Sequence, residues 1–199
     1  MEVLVVKRES LLKSRFQGFV KKEFFDYISI ILKEYEFINR EVAENDKTYK
    51  QIIPYAIIRN SNNDFFVYKR GNKNYNEKRL SDKWSLGVGG HIERIDIPTD
   101  HSRNIITESV LREIREEIGI SSDFSLDLLG YINDDSNEVG KVHFGIVYLV
   151  SLFRTDIEVC QDEIQEFKFS SLEEIKELYE KFETWSKLIY DFLIGENRG

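Results

Sequence analysis

The sequence has one cysteine in 199 residues, Cys160, which excludes an internal disulfide and fits a reducing compartment. It has no apolar run long enough to span a bilayer. The apolar part of the opening "MEVLVVKRES" is also too short for a signal peptide. These absences lead us to expect a cytoplasmic protein with no membrane partner. Basic residues are outnumbered, 28 Lys and Arg against 36 Asp and Glu, for a net charge of −8. That balance argues against a nucleic-acid backbone as the main partner, because such binders show a basic excess. A phosphorylated substrate stays open, since a divalent cation held by carboxylates reverses the local sign. Internal repeats and low-complexity linkers are missing too.

What is present describes a globular chain: 41% hydrophobic and 32% charged residues, enough for one core with an extension but not for two domains of usual size. A strand is expected at about Val3 to Val6. The segment "KKEFFDYISIILKEY" spaces Phe24, Phe25, Ile28, Ile31, Leu32 and Tyr35 for one buried helix face. "QIIPYAIIRN" and "DFFVYKR" read as a β-hairpin around Ser61-Asn62-Asn63, with Pro54 near the start of its first strand. "GNKNYNEKRLSDK" reads as a loop and "WSLGVGGHIE" as a strand ending in glycines. Helical periodicity then runs from about Ile105 to Ile118 and stops at Gly119. "KVHFGIVYLVSLF" is the most continuous apolar stretch, as in a buried central strand, and Ser171-Leu172-Glu173-Glu174 is a capping box opening a helix. "ETWSKLIYDFLIG" supplies a last helix. Hairpins without regular βαβ alternation favour an α/β sandwich with a mixed sheet.

The stretch "LREIREEIGI" carries the chemistry. Glu113, Glu116 and Glu117 occupy positions i, i+3 and i+4, one arc of a helix, beside an apolar stripe of Val110, Leu111, Ile114 and Ile118. Three carboxylates on one arc repel one another, and a hard cation such as Mg²⁺ relieves that repulsion. The pairs Glu108–Arg112 and Arg112–Glu116 offer the plainer explanation of a solvated, salt-bridged face. Upstream, "GVGGHIE" places Gly87, Gly89 and Gly90 at a strand end, where the bare backbone can approach a ligand.

Together these residues resemble the Nudix (MutT-related) hydrolase superfamily, whose signature is Gly, five residues, Glu, seven residues, then Arg-Glu-aliphatic-x-Glu-Glu-x-Gly-aliphatic. Arg112, Glu113, Ile114, Glu116, Glu117, Gly119 and Ile120 match every fixed position of the second half, and Gly90 matches the first. The signature has 13 residues between that glycine and the arginine; here 21 lie between them, an insertion of eight. The position of the first Glu holds Asp96 counted forward and Asn104 counted back, and Asp96 is the better chemical substitute. "KQIIPY", "EKRLSDKWSLGVGGHI" and "VGKVHFG" also resemble a MutT-related phosphoesterase group with a lengthened box. The box covers about a sixth of the chain. The resemblance implies a Nudix-type α/β/α sandwich over residues 51–199, with residues 1–50 as an extension of strand and helix packed on it.

The resemblance further implies hydrolysis of a diphosphate linkage in a nucleoside-diphosphate-linked or similar phosphorylated small molecule, with Mg²⁺ or Mn²⁺. Glu113, Glu116, Glu117 and the Gly89 carbonyl would be metal ligands, and Arg112 would brace the carboxylates. A general base would come from the box helix, Glu116 included, or from a later loop, where Glu163 and Glu166 are the candidates beside Asp162. Arg70, Arg79, Lys83 and His91 could meet substrate phosphates, although solvated cations and a structural imidazole, as for His143, are the default. Trp84 and Tyr75 could stack on a base or simply fill the core. Two other readings compete: a catalytically silent Nudix-fold sensor of a nucleotide or metabolite, and an isoprenoid diphosphate isomerase. The isomerase needs a cysteine beside the metal, and Cys160 lies far along the chain. The apolar extension needs covering, either by a second copy in a homodimer or by the protein's own core.

Overall fold

The computed structural model describes residues 1–71, 83–100, 102–121, 123–153, 157–160 and 164–197. It is a mixed α/β fold with a large mixed sheet and helices. The strands are β1 (Glu2–Lys7), β2 (Gly18–Lys21), β3 (Glu36–Asn39), β4 (Tyr49–Arg59), β5 (Phe65–Arg70), β6 (Trp84–Ser85), β7 (Gly87–Gly89), β8 (Phe124–Asn133), β9 (His143–Leu152) and β10 (Ile164–Ser170). The helices are α1 (Arg8–Leu11), α2 (Tyr27–Glu34), α3 (Arg40–Asn45), α4 (Ile105–Ile118), α5 (Glu138–Val142), α6 (Leu172–Ile175) and α7 (Thr184–Asn197). Strands pair in the order β10-β5-β4-β9-β8-β2, with β1 and β7 also on β4. The apolar run of β9 is therefore central, as its composition requires. Among the described residues no helix is long and apolar enough to cross a membrane.

The chain forms two compact units. The first comprises Met1–Tyr55, Gly89–Arg112 and Leu128–Tyr148. In it β1 pairs antiparallel with β3 and with the start of β4, up to Val5↔Gln51. Val3, Leu4, Val5 and Val6 are fully buried, so the N-terminal strand is covered by the chain itself. Phe16, Tyr27, Tyr131 and Phe144 pack edge to face or tilted, with ring centroids 4.9–6.1 Å apart. Burial in this cluster pushes the Tyr27 phenol up to about 12, and its hydroxyl donates to the Ser14 carbonyl at 2.5 Å.

Two expectations change here. The amphipathic helix starts later than its periodicity suggests, because Asp26 caps it by accepting from the Ser29 amide at 3.1 Å. Phe24 is left in a 3₁₀ turn and half exposed, and Tyr27 with Ile31 forms the buried face instead. Pro54 lies in the middle of β4 rather than near its start. It falls beyond Gln51, the last residue of β4 paired with β1, where a missing N–H interrupts no bond to that strand.

The second unit comprises Ala56–Val88, Glu113–Asp127 and Leu149–Gly199. Its hairpin turns at Asn60, whose side-chain oxygen accepts from the amides of Asn62 and Asp64, both at 2.9 Å. Strand β5 continues antiparallel onto β10 and β6. Trp84 is buried; its carbonyl accepts from the Glu183 amide, and Glu183 caps α7 through the amides of Trp185 and Ser186. The expected capping box of α6 is present, with Ser171 and Glu174 bonded reciprocally.

Candidate active site

Helix α4 starts where Asn104 accepts from the amides of Ile106 and Thr107, both at 3.0 Å. Its buried stripe is Ile105, Ile106, Val110, Ile114 and Ile118. The division between the units falls after Val88 and again after Arg112, so the first unit holds Gly89, Gly90 and the arginine, and the second holds Gly87 and the carboxylates.

In the first unit, a Cβ on Gly89 would lie 2.2 Å from the Pro54 carbonyl oxygen, so only glycine fits that strand end. In the lengthened segment after it, Arg94–Asp96 form a 3₁₀ turn with a capping box between Glu93 and Asp96. Asp96 is buried, and Arg112 grips it with two prongs, Nε to Oδ1 at 2.7 Å and Nη2 to Oδ2 at 3.0 Å. Arg112 Nη2 also donates to the His91 carbonyl at 3.0 Å. The two residues competing for the acidic position thus divide the work. Asp96 holds the arginine across the insertion, and Asn104 caps the helix.

His91 contributes to the site chiefly through its backbone. The residue is half-buried, and desolvation, with the neighbouring His143 and Arg40, pushes its pKa well below the usual histidine value. That shift favours the neutral imidazole. His143 Nδ1 donates to the Val139 carbonyl at 2.7 Å, and its Nε2 shares a hydrogen bond with His91 Nε2 at 3.3 Å.

In the second unit, Glu113 and Glu117 are half-buried and Glu116 is exposed. The end of α4 is locked by a backbone segment: the Cys160 amide donates to the Glu117 carbonyl at 2.7 Å, and the Glu158 amide to the Ile118 carbonyl at 3.2 Å. Cys160 thus comes beside the box helix through its main chain, which sequence separation had hidden. Gly119 sits at φ +69°, and a Cβ there would lie 2.8 Å from the Glu158 carbonyl oxygen. Gly119→Ala should cost about 1–2 kcal/mol for the left-handed backbone alone, read as a lower urea midpoint.

The same unit collects Tyr68, Arg70, Glu117 and Glu183 electrostatically. Burial pushes the Tyr68 phenol far up; Glu117 and Glu183 add to this, and Arg70 opposes it. Arg70 Nη1 donates to the Tyr68 hydroxyl at 3.3 Å, and the Arg70 amide to the Lys83 carbonyl at 3.0 Å, so these two candidate cations are neighbours. Glu183 carried no sequence signal beyond its place before a helix. Glu166 stands exposed on β10 opposite Lys69, beside a register shift. Arg79, Tyr75, Asp162 and Glu163 lie outside the described residues.

Three carboxylates on one helix arc suit a hard divalent cation in kind. Among the described residues, no three His, Cys, Asp or Glu side chains form a ready-made metal cluster. Carboxylates that repel one another have no reason to converge before an ion joins them.

The fold and these groups define an α/β protein with a glycine-ended strand and a buried arginine–aspartate pair in one unit and the carboxylate-bearing stretch of α4 in the other. A family model of the NUDIX domain matches residues 50–192, and the chain belongs to that family. Protein YmaB of Bacillus subtilis (strain 168) is 33% identical over 203 residues, covering 96% of both chains. The crystal structure of Tm1382, assigned to the Nudix hydrolases, superposes with a TM-score of 0.75 at 28% identity, covering 98% of this chain and 99% of the other. The MutT protein of Methanosarcina mazei Go1 gives a TM-score of 0.54 at 25% identity, covering 75% of this chain and 96% of its own.

Proposed function

We propose that the protein is a metal-dependent hydrolase that cleaves a diphosphate linkage in a nucleoside-diphosphate-linked or similar phosphorylated small molecule. The observation that carries this reading is the two-pronged Arg112–Asp96 pair. It supplies an acidic partner for the box arginine despite the eight-residue insertion, and so supports a working box rather than a decayed one. Glu113, Glu116, Glu117 and the Gly89 carbonyl would hold Mg²⁺ or Mn²⁺. When bound, such an ion would supply charge neutralisation at the phosphate oxygens and a lowered pKa for water. The chain's own residues bind and orient. Arg112 anchors the first half of α4, and the Cys160 amide fixes its end. Arg70 and Lys83 offer cations to a phosphate. Exposed Glu116 is the box carboxylate best placed by its solvation to take a proton from water, and Glu163 and Glu166 remain the loop and strand candidates.

The test is a panel of diphosphate compounds assayed with Mg²⁺ or Mn²⁺, reading nucleoside monophosphate, phosphate or pyrophosphate released. Turnover that requires the metal is expected. Metabolite-dependent thermal stabilisation with no product from any compound would instead favour the silent sensor.

A further inference from the structure

A cavity of about 970 Å³ opens in the first unit, and none of the box residues lines it. Its size is at the upper end of small-ligand sites, which run from about 300 to 1,000 Å³. Its wall comes from the N-terminal segment, the turn before β4 and the end of β8, and carries five cations, Lys7, Arg8, Lys13, Arg15 and Lys47, against Glu9, Asp46 and Asp135. In a chain of net charge −8 this is a local reversal of sign.

The acids are largely committed. Asp135 pairs with Arg8 and accepts from the fully buried Lys50 at 2.9 Å, while Asp46 accepts from the Thr48 amide and hydroxyl. Lys47 is tied to Glu138 at 2.7 Å. Lys7, Lys13 and Arg15 are exposed and form no ion pair among the described residues. The lining also includes Leu12, Phe16 and Tyr49, apolar surface suited to a flat ring. Asn133, another lining residue, is buried and donates to the Phe16 carbonyl at 2.8 Å, but its Oδ1 has no hydrogen-bond partner. A buried acceptor left in that state is destabilising until a donor reaches it.

We infer that this cavity is a second ligand site, separate from the box, for a nucleoside phosphate: two or more negative charges for Lys7, Lys13 and Arg15, and a flat ring with a hydrogen-bond donor for the apolar wall and Asn133. The inference does not depend on hydrolysis, and its test is run without it.

Binding of adenosine 5′-diphosphate, pyrophosphate and adenosine to the whole protein is measured by titration calorimetry in EDTA. Saturable diphosphate-nucleoside binding in the millimolar range or tighter is expected, stronger than that of pyrophosphate or adenosine. The double variant Lys13→Glu/Arg15→Glu should weaken it at least tenfold, while Glu117→Gln leaves it unchanged. Both charge-reversed side chains are exposed, so the fold should be retained, as the thermal midpoint will show. No saturable binding, binding indifferent to the charge reversal, or binding lost in Glu117→Gln would each overturn the proposal. Equal affinity for pyrophosphate and the nucleotide would remove the ring from it.

Discussion

Glu117→Gln is expected to lower kcat by about 10²–10³-fold, because it removes one charged oxygen donor, worth several kcal/mol of transition-state charge stabilisation, at about 1.4 kcal/mol per tenfold. The substitution keeps shape and removes only charge. Glu117 is half-buried at the end of α4, and the backbone bond from Cys160 to its carbonyl does not involve the side chain. Folding stability should therefore change little. The matched control is Glu108→Gln on the same helix, outside the carboxylate arc and paired with Arg103 at 3.2 Å. It should keep near wild-type turnover. Equal activity in both variants would remove the box carboxylates from the mechanism, whereas equal loss would point to a general charge effect of the helix.

Asp96→Ala should be the most destabilising single change at the site. Asp96 is almost fully buried, and Arg112 keeps only 16% of its side-chain surface exposed. Removing the carboxylate leaves a guanidinium enclosed without its two-pronged acceptor, which typically costs about 3–5 kcal/mol. At about 2–4 °C per kcal/mol for a chain of this size, the thermal midpoint should fall by roughly 6–20 °C. The capping bond from the Glu93 amide to Asp96 at 2.8 Å is lost as well, so the inserted turn loosens with it. Asp96→Asn keeps an acceptor and should lie between alanine and wild type. A shift under about 1 kcal/mol in the alanine variant would show the pair to be a surface-grade interaction.

A second buried network sets part of the pH response. Burial would raise the Asp135 carboxyl, but the bonds from Arg8 and Lys50 outweigh it and hold it down at about 2, against an ordinary 3.8. A depressed carboxylate stabilises the fold fully above its unfolded value and loses that contribution as pH falls through the folded one. The advantage of wild type over Asp135→Asn should thus be complete above about pH 4 and shrink by on the order of 1–2 kcal/mol towards pH 2, read from urea midpoints. Lys50 shows the opposite balance: burial lowers it to about 8 in spite of Asp135. Its three donors are met by Asp135, the Gly140 carbonyl at 2.7 Å and the His143 carbonyl at 3.1 Å, so it is still charged at neutral pH.

What the sequence by itself determined were the parts governed by local periodicity and short motifs. The bounds of α4, the stop at Gly119, the Asn60–Asp64 hairpin, the capping box of α6 and the apolar run of β9 all depend on residues within a few positions of one another. The Nudix signature is of the same kind, because its second half, Arg112 to Ile120, is one helix end with its glycine stop. Tertiary structure decided what joins residues far apart in the chain. Counting left both Asp96 and Asn104 in contention, with Asp96 the better chemical substitute, and only the 3₁₀ turn at Arg94–Asp96 put a buried carboxylate under Arg112. The Cys160 amide reaches the Glu117 carbonyl across a chain separation that no local pattern encodes. The basic cavity likewise exists only because the N-terminal segment, the start of β4 and the end of β8 meet. Local sequence sets which backbone hydrogen bonds a segment can make with itself; burial and charge compensation are settled only by the partners that the whole fold brings against it.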